Sequence, residues 1–376
     1  MSTAVGNRRL AAITSLGTSI WLDQIGRGLI ESGELKRLVD ECSLRGVTSN
    51  PAIFEKAILD SEDYDAEIAE LAGQGLTATE IYSRIAVKDV KLGTGVLRPV
   101  WDETGGADGF VSLEVAPALA RDTTGKTIAE ARDYWELVGS PNLMIKIPGT
   151  PEGIDAIEQA IYEGININVT LLFSVDRYAD VAEAYIRGLE RRHAEGLPLG
   201  VHSVASFFVS RVDTLVDKQL TELGRTDLAG KAAVANARAA YIRFKEIFYG
   251  ERFAILREAG AFVQRPLWAS TGTKNPEYSE VLYVDTLVGP ETVNTMPTKT
   301  LQAAAAISEV TAVTLDEDPT PVLTELAEAG IDMNAVTEQL LDEGIESFVH
   351  SLDGLIAGIE RQRAAAAGDP PEEQPG

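Results

Sequence analysis

The chain has 376 residues, of which 45% are hydrophobic and 24% charged, a globular mixture long enough for one large domain or two ordinary ones. Its formal charge is −25, from 58 acidic against 33 basic residues, which argues against nucleic acid and against anionic membrane surfaces as partners. An acidic protein binds a phosphorylated metabolite only through a local cationic pocket, so the basic residues beside glycines and hydroxyls carry the interest.

The N-terminus, "MSTAVGNRRLAAITSLG", has two arginines but no apolar h-region or cleavage site. No apolar run reaches the roughly 18–20 residues of a membrane span, so a cytoplasmic protein is expected. The single cysteine, Cys42, excludes an internal disulfide. Its neighbours Leu38, Val39 and Leu44 predict a buried helix position.

Short β-branched runs then alternate with helical patterns. Strands are expected at "SIWLD" (19–23), "GVTSN" (46–50), "FVSLEV" (110–115) and "NLMIKIP" (142–148). Four more follow at "ININVTLLF" (165–173), "HSVASFF" (202–208), "QRPLWAS" (264–270) and "TVNTMP" (292–297). Helix starts are expected at Thr77 and at Thr127, each with a glutamate three residues on, the capping-box pattern. Thr150 before Pro151 predicts another cap, and Ser174 another. Eight strand–helix alternations predict a parallel sheet covered by helices, closed into a (β/α)8 TIM barrel with extra N-terminal and inserted helices. An open doubly wound sheet is the competing architecture. No G-x-G-x-x-G follows the first strand, which weakens a dinucleotide fold. The division expected is a barrel catalytic domain over 1–363 and a disordered tail over 364–376, "AAAAGDPPEEQPG".

The stretch "SPNLMIKIPGT" (140–150) places Lys146 inside an apolar run on the fourth strand. Lysine is almost never fully buried without compensation. One reading is a lysine paired to a core carboxylate or snorkelling from an edge strand. The other is a Schiff-base lysine, since a desolvated ammonium releases its proton more readily and the neutral amine attacks a ketone. With only His193, His202 and His350 in the chain, a zinc-dependent aldolase site has too few histidines, and no metal or cofactor is expected. Asp23 and Glu114, at the ends of the first and third strands, are the carboxylates for acid and base work. Asp23 could instead cap the helix after it, and Glu114 could be an ion-pair partner. Thr48, Asn50, Asn168, Thr170, Ser206 and Phe208 lie on strand ends, where barrels of this kind build active sites. "ASTGTKN" (269–275), with Ser270 and Lys274, and Arg211 in "SFFVSRVD" stand after adjacent strands and suit a phosphate.

Together "SIWLDQIGR", "GVTSNPAIF", "LMIKIPGT", "NINVTLLFS", "VASFFVSRVD" and "ASTGTKNP" resemble, in order, the strand motifs of the transaldolase family, in its long bacterial form, from about residue 14 to about 360. The resemblance implies a (β/α)8 barrel with the imine-forming lysine, here Lys146, on the fourth strand. It implies that Asp23 acts on the substrate hydroxyl during bond cleavage, and that Glu114 and Thr170 handle a proton-transferring water. Thr48, Asn50 and Asn168 then position the dihydroxyacetone unit, and Ser206 and Arg211 bind phosphate. Phe208 stands where related fructose 6-phosphate aldolases carry tyrosine, which favours transfer of the three-carbon unit over its release. Shorter members have a second arginine after the seventh strand, where this chain has Lys274, a point charge without the bidentate fork. The implied reaction moves dihydroxyacetone from sedoheptulose 7-phosphate to glyceraldehyde 3-phosphate. A fructose 6-phosphate aldolase and a non-catalytic sugar-phosphate-binding barrel are the alternatives. Phosphorylated sugars are the expected partners, and a monomer or homodimer the expected assembly.

Overall fold

A computed structural model of the protein describes residues 6–123 and 125–367. Helix α1 (Arg8–Ser15) is capped by Asn7, whose side chain accepts from two free N–H groups, and β1 (Thr18–Leu22) follows. Helices α2 (Arg27–Glu31) and α3 (Glu34–Glu41) lead to β2 (Leu44–Val47). An excursion of α4 (Pro51–Leu59), α5 (Asp65–Gly73) and α6 (Ala78–Glu103) precedes β3 (Phe110–Glu114). A 3-10 turn at Pro117–Arg121 and α7 (Lys126–Val138) run to β4 (Leu143–Pro148). Helix α8 (Ile154–Glu163) leads to β5 (Ile167–Leu172), and α9 (Val175–Ala194) to β6 (Ser203–Phe208). Three helices, α10 (Ser210–Glu222), α11 (Ala232–Phe248) and α12 (Glu251–Glu258), join β6 to β7 (Arg265–Ala269). The short α13 (Leu282–Asp285) precedes β8 (Thr292–Met296), and α14 (Thr298–Ile307), α15 (Thr320–Glu328) and α16 (Met333–Ala367) follow.

The eight strands are parallel and close into a barrel, each paired with the next and β8 with β1. Both faces of such a sheet are covered, one by helices and one by the barrel's own interior. That is why β3 to β6 read as near-continuous apolar runs and every residue in them is buried. Register fixes the polar exceptions, since Glu114 pairs with Lys146 and Lys146 with Asn168 across three neighbouring strands. Gly46 is required by packing: a Cβ there would stand 2.3 Å from the Trp21 ring. Trp21 Nε1 donates to Asp108 at 2.8 Å, and Arg265 reaches the same carboxylate at 3.4 Å, which plugs the N-terminal end of the barrel with a neutralised charge.

The strand expectations hold to within a few residues. The main shift is β2, which ends at Val47, so Thr48 and Asn50 stand just beyond it. The capping box at Thr77 and Glu80 forms, and Ser174 caps α9. Thr127 does not cap α7. Asp122 accepts from the Lys126 and Thr127 N–H groups instead, Thr127 Oγ1 donates to the Leu119 carbonyl, and Glu130 accepts from the Ala116 N–H. Thr150 donates to the Ala120 carbonyl and accepts from Gly153, so the α8 helix starts at Ile154 and not at Pro151. Cys42 is half-buried at the end of α3, not in its core face. Helix α16 runs to Ala367, past the boundary read at 363, while 368–376 of the expected tail lie outside the described residues.

Helix α16 folds back across the C-terminal end of the barrel and packs on α4, α5, α6, α10 and β5. Gly358 permits this, because a Cβ there would meet the Leu59 side chain of α4 at 2.5 Å. No helix among the described residues is long and apolar enough to cross a membrane.

Candidate active site

Alternation along β4 turns Lys146 toward the barrel axis, and it is only 4% exposed. Its Nζ donates to Glu114 Oε2 at 3.0 Å and to the Ser49 carbonyl at 3.1 Å. The compensation that a buried ammonium needs is therefore a carboxylate one strand away. Glu114 is 5% exposed, and its Oε1 is buried without a hydrogen-bond partner among the described residues. Burial pushes the Glu114 carboxyl above its ordinary range, and Lys146 opposes this only in part.

Asp23 follows β1 directly. It accepts from Thr48 Oγ1 at 2.6 Å, and that hydroxyl also pairs with Thr295 at 2.7 Å. Burial raises the Asp23 carboxyl, against the pull of Lys146 and the Thr48 hydroxyl. It does not cap α2, whose N-cap is Gly26 with no side-chain bond. Asn50 caps α4, accepting from the Ile53 N–H at 2.9 Å. Thr170 on β5 is fully buried, and its hydroxyl, like Glu114 Oε1, has no partner among the described residues. The register of β5 against β6 shifts after Val169, and Leu171 has φ of 59°, the left-handed backbone of a bulge beside Thr170.

At the far side of the pocket, Arg211 is the second residue of α10. Its guanidinium lies 5.4 Å from the Phe208 ring centre and 5.8 Å from that of Phe348, and among the described residues it makes no ion pair. Burial lowers its pKa, with Glu343 opposing. Ser270 has φ of 56°, and its hydroxyl pairs with that of Ser210 at 2.9 Å, which ties the loop after β7 to the start of α10. Lys274 on the same loop is exposed. Asp23, Thr48, Asn50, Lys146, Thr170, Ser206, Phe208, Arg211, Ser270 and Lys274 line one pocket of about 130 Å3 at the C-terminal end of the barrel.

Two expected residues do not line that pocket: Glu114, which reaches the site through its bond to Lys146, and Asn168. Asn168 is fully buried below it, donating to Ser112 Oγ at 2.9 Å and accepting from Ser206 Oγ at 2.7 Å. It supports Ser206 from beneath. Among the lining residues that escaped the sequence reading are Thr295 and Phe348. Thr295 obeys the same rule as the others, a polar residue near a strand's C-terminal end. Phe348 comes from α16, its ring centre 5.6 Å from Lys146 Nζ, and nothing local in the sequence marks it. Among the described residues no group of three or more His, Cys, Asp or Glu is placed to hold a metal.

The model of the transaldolase/fructose-6-phosphate aldolase family matches residues 20–359, a span that contains every lining residue named above. The chain belongs to this family. Proteins named transaldolase lie close to it within the family. One from Mycobacterium marinum is 47% identical over 369 residues, covering 96% of this chain and 99% of that protein. One from Thermobifida fusca is 47% identical over 363 residues, covering 95% and 98%. One from Mycolicibacterium paratuberculosis is 46% identical over 369 residues, covering 96% and 99%. Within the transaldolase family, a parallel barrel with an inward lysine on β4 is thus presented here with two carboxyls and one guanidinium around it.

Proposed function

We propose that this chain is a transaldolase that works through an imine on Lys146. The reading rests above all on one observation: a buried lysine hydrogen-bonded to a buried carboxyl, in a pocket that also holds Asp23. The ammonium gives a proton to Glu114, and the free amine attacks the keto carbon of a ketose phosphate. Glu114 returns that proton to the carbinolamine hydroxyl, which leaves as water while the nitrogen lone pair closes the C=N bond. Thr170, with its unpartnered hydroxyl, and Glu114 Oε1 hold the water concerned.

Asp23 then takes the proton of the C4 hydroxyl. The C3–C4 bond breaks, its electron pair flows into the iminium, and an aldehyde departs. Return of the pair to the carbonyl of an acceptor aldehyde, with the proton restored by Asp23, makes the new bond. Hydrolysis of the imine completes the transfer. The donor is sedoheptulose 7-phosphate and the acceptor glyceraldehyde 3-phosphate, giving erythrose 4-phosphate and fructose 6-phosphate. Thr48 and Asn50 position the donor hydroxyls, with Asn168 acting through Ser206. Arg211, Ser206, Ser270 and Lys274 take the phosphate, Arg211 by its fork and Lys274 as a point charge. The site of this chemistry is the cytoplasm.

The family also contains fructose 6-phosphate aldolases, which free dihydroxyacetone. Phe208 offers no hydroxyl to help a water end the reaction early, which favours transfer. The test is borohydride reduction with fructose 6-phosphate, followed by peptide mapping. Modification of Lys146, absent in Lys146→Ala, with no free dihydroxyacetone released, and with the three-carbon unit found in a new ketose once an acceptor aldehyde is added, is the expected result. Modification elsewhere, or none, overturns the imine assignment. Release without acceptor overturns transfer in favour of the aldolase.

A further inference from the structure

Balancing the imine step shows what must cross the protein. The lysine ammonium plus a ketone gives an iminium plus one water, so the two protons that leave nitrogen depart with the ketone oxygen in that water and charge is conserved. No proton has to be exchanged with solvent, but one water molecule must leave, and one must return for hydrolysis. The mouth pocket is about 130 Å3, which leaves little room for water beside a ketose phosphate seated on Arg211 and Lys146.

A second cavity, of about 490 Å3, lies behind Glu114. It runs between the start of α4, α6, the loop after β3, α7 and α16, and its lining includes Glu114, Tyr82, Tyr134 and Glu130. Glu114 thus divides the two spaces, bound to Lys146 on one side and bordering the cavity on the other. Its Oε1, on a side chain more than nine-tenths buried, has no partner among the described residues. Thr79, Asp353 and Ala357, also in the lining, are exposed, so the cavity reaches the surface. The Tyr82 phenol is held neutral by burial and by the neighbouring Tyr134, Glu114 and Glu130, so it serves as a hydroxyl and not as a base. The entrance carries the exposed Asp353, with Glu360 beside it paired to Arg363, and offers a phosphate no unpaired cation among its lining residues, whereas the mouth pocket carries Arg211 and Lys274 and attracts it. A cavity this size has room for several waters; most of its wall is apolar, and Glu114, Tyr82, Tyr134 and Glu130 are among the polar groups that give them partners.

We propose that this cavity is the water port of the imine chemistry, through which the water lost at Lys146 leaves and the hydrolytic water returns, with the Tyr82 hydroxyl as the hydrogen-bonding step between cavity and Glu114. The inference rests on the imine reading given above. Its test is loss of label from fructose 6-phosphate carrying 18O at C2, measured in ordinary water by mass spectrometry. Borohydride labelling of the wild type comes first, because its failure defeats the imine reading itself. Three variants follow: Tyr82→Phe, and two that fill the cavity from opposite walls, Ser83→Leu on α6 and Ala357→Trp on α16. Circular dichroism selects those that fold. The expected result is label loss slowed about tenfold or more in each folded variant, with the Michaelis constant for fructose 6-phosphate within twofold of wild type. A cavity that is only a packing void predicts no change in exchange. Wild-type exchange in either filled variant overturns the port, and wild-type exchange in Tyr82→Phe overturns the role of its hydroxyl.

Discussion

Removing the Lys146 charge while keeping its shape tests how the buried pair is held. In Lys146→Met the Glu114 carboxylate, 5% exposed, loses its only ion-pair partner among the described residues, and the Ser49 carbonyl loses a donor. Breaking a buried ion pair by removing one member costs about 3–5 kcal/mol. Whole-domain stabilities are about 5–15 kcal/mol, so the variant folds but is markedly weakened. The deficit depends on pH. Burial already raises the Glu114 carboxyl, and losing Lys146 raises it further. A folded-state carboxyl raised above its unfolded value keeps a proton that the unfolded chain releases. Stability is therefore full below the ordinary glutamate range and falls as pH rises through the raised native value. Urea unfolding at pH 5 and pH 8 measures this. The expected deficit is about 3–5 kcal/mol at pH 8 and clearly smaller at pH 5, and Lys146→Met with Glu114→Gln recovers most of it at pH 8. A deficit equal at both pH values, or below about 1 kcal/mol at pH 8, the size of an exposed pair, refutes the account of a desolvated pair.

Asp23→Asn is expected to lower turnover by about 10²–10⁴, the range for loss of a general base. Because burial raises Asp23, the same change stabilises the fold at neutral pH, and a melting series over pH checks the sign. Arg211→Ala removes a charged hydrogen-bond donor worth about 1.5–3 kcal/mol. It should raise the Michaelis constant for phosphorylated donors by roughly 10- to 150-fold and leave unphosphorylated dihydroxyacetone transfer little changed. His202 sits between Phe110 and Phe262 near Arg265, and burial, then that arginine, lowers it to about 4. A lowered histidine contributes stability above its unfolded value that is lost as pH falls toward 4. The drop of about 2.5 units from 6.5 corresponds to roughly 3 kcal/mol between pH 6.5 and 4, which His202→Gln should remove from the acid-unfolding curve.

Most of the barrel was legible because its rule is local. A buried parallel strand is an apolar β-branched run, and eight such runs recur between helical patterns. The site residues stood out as polar side chains within or at the ends of those runs, Lys146, Glu114 and Thr170 among them. Asn168 shows the limit of that rule. It faces inward, but Ser112 and Ser206 absorb its amide a layer below the pocket, and depth along the axis depends on strand stagger that no single strand encodes. Thr127 failed for a similar reason. Its spacing to Glu130 was right, yet Asp122 was nearer to the free N–H groups and Glu130 was already bonded to Ala116. Phe348 had no signal at all, because its place is set by how α16 lies across α4 and β5, far away in sequence.

That placement ties chemistry to the order of synthesis. A ribosome finishes all eight strands before it reaches the phenyl ring that roofs the amine. A growing or clipped chain lacking this ring leaves the amine uncovered on the side that the ring would face. Competence therefore arrives late and all at once, when the terminal helix docks, so damage near the end of the polypeptide silences the enzyme and not merely its solubility.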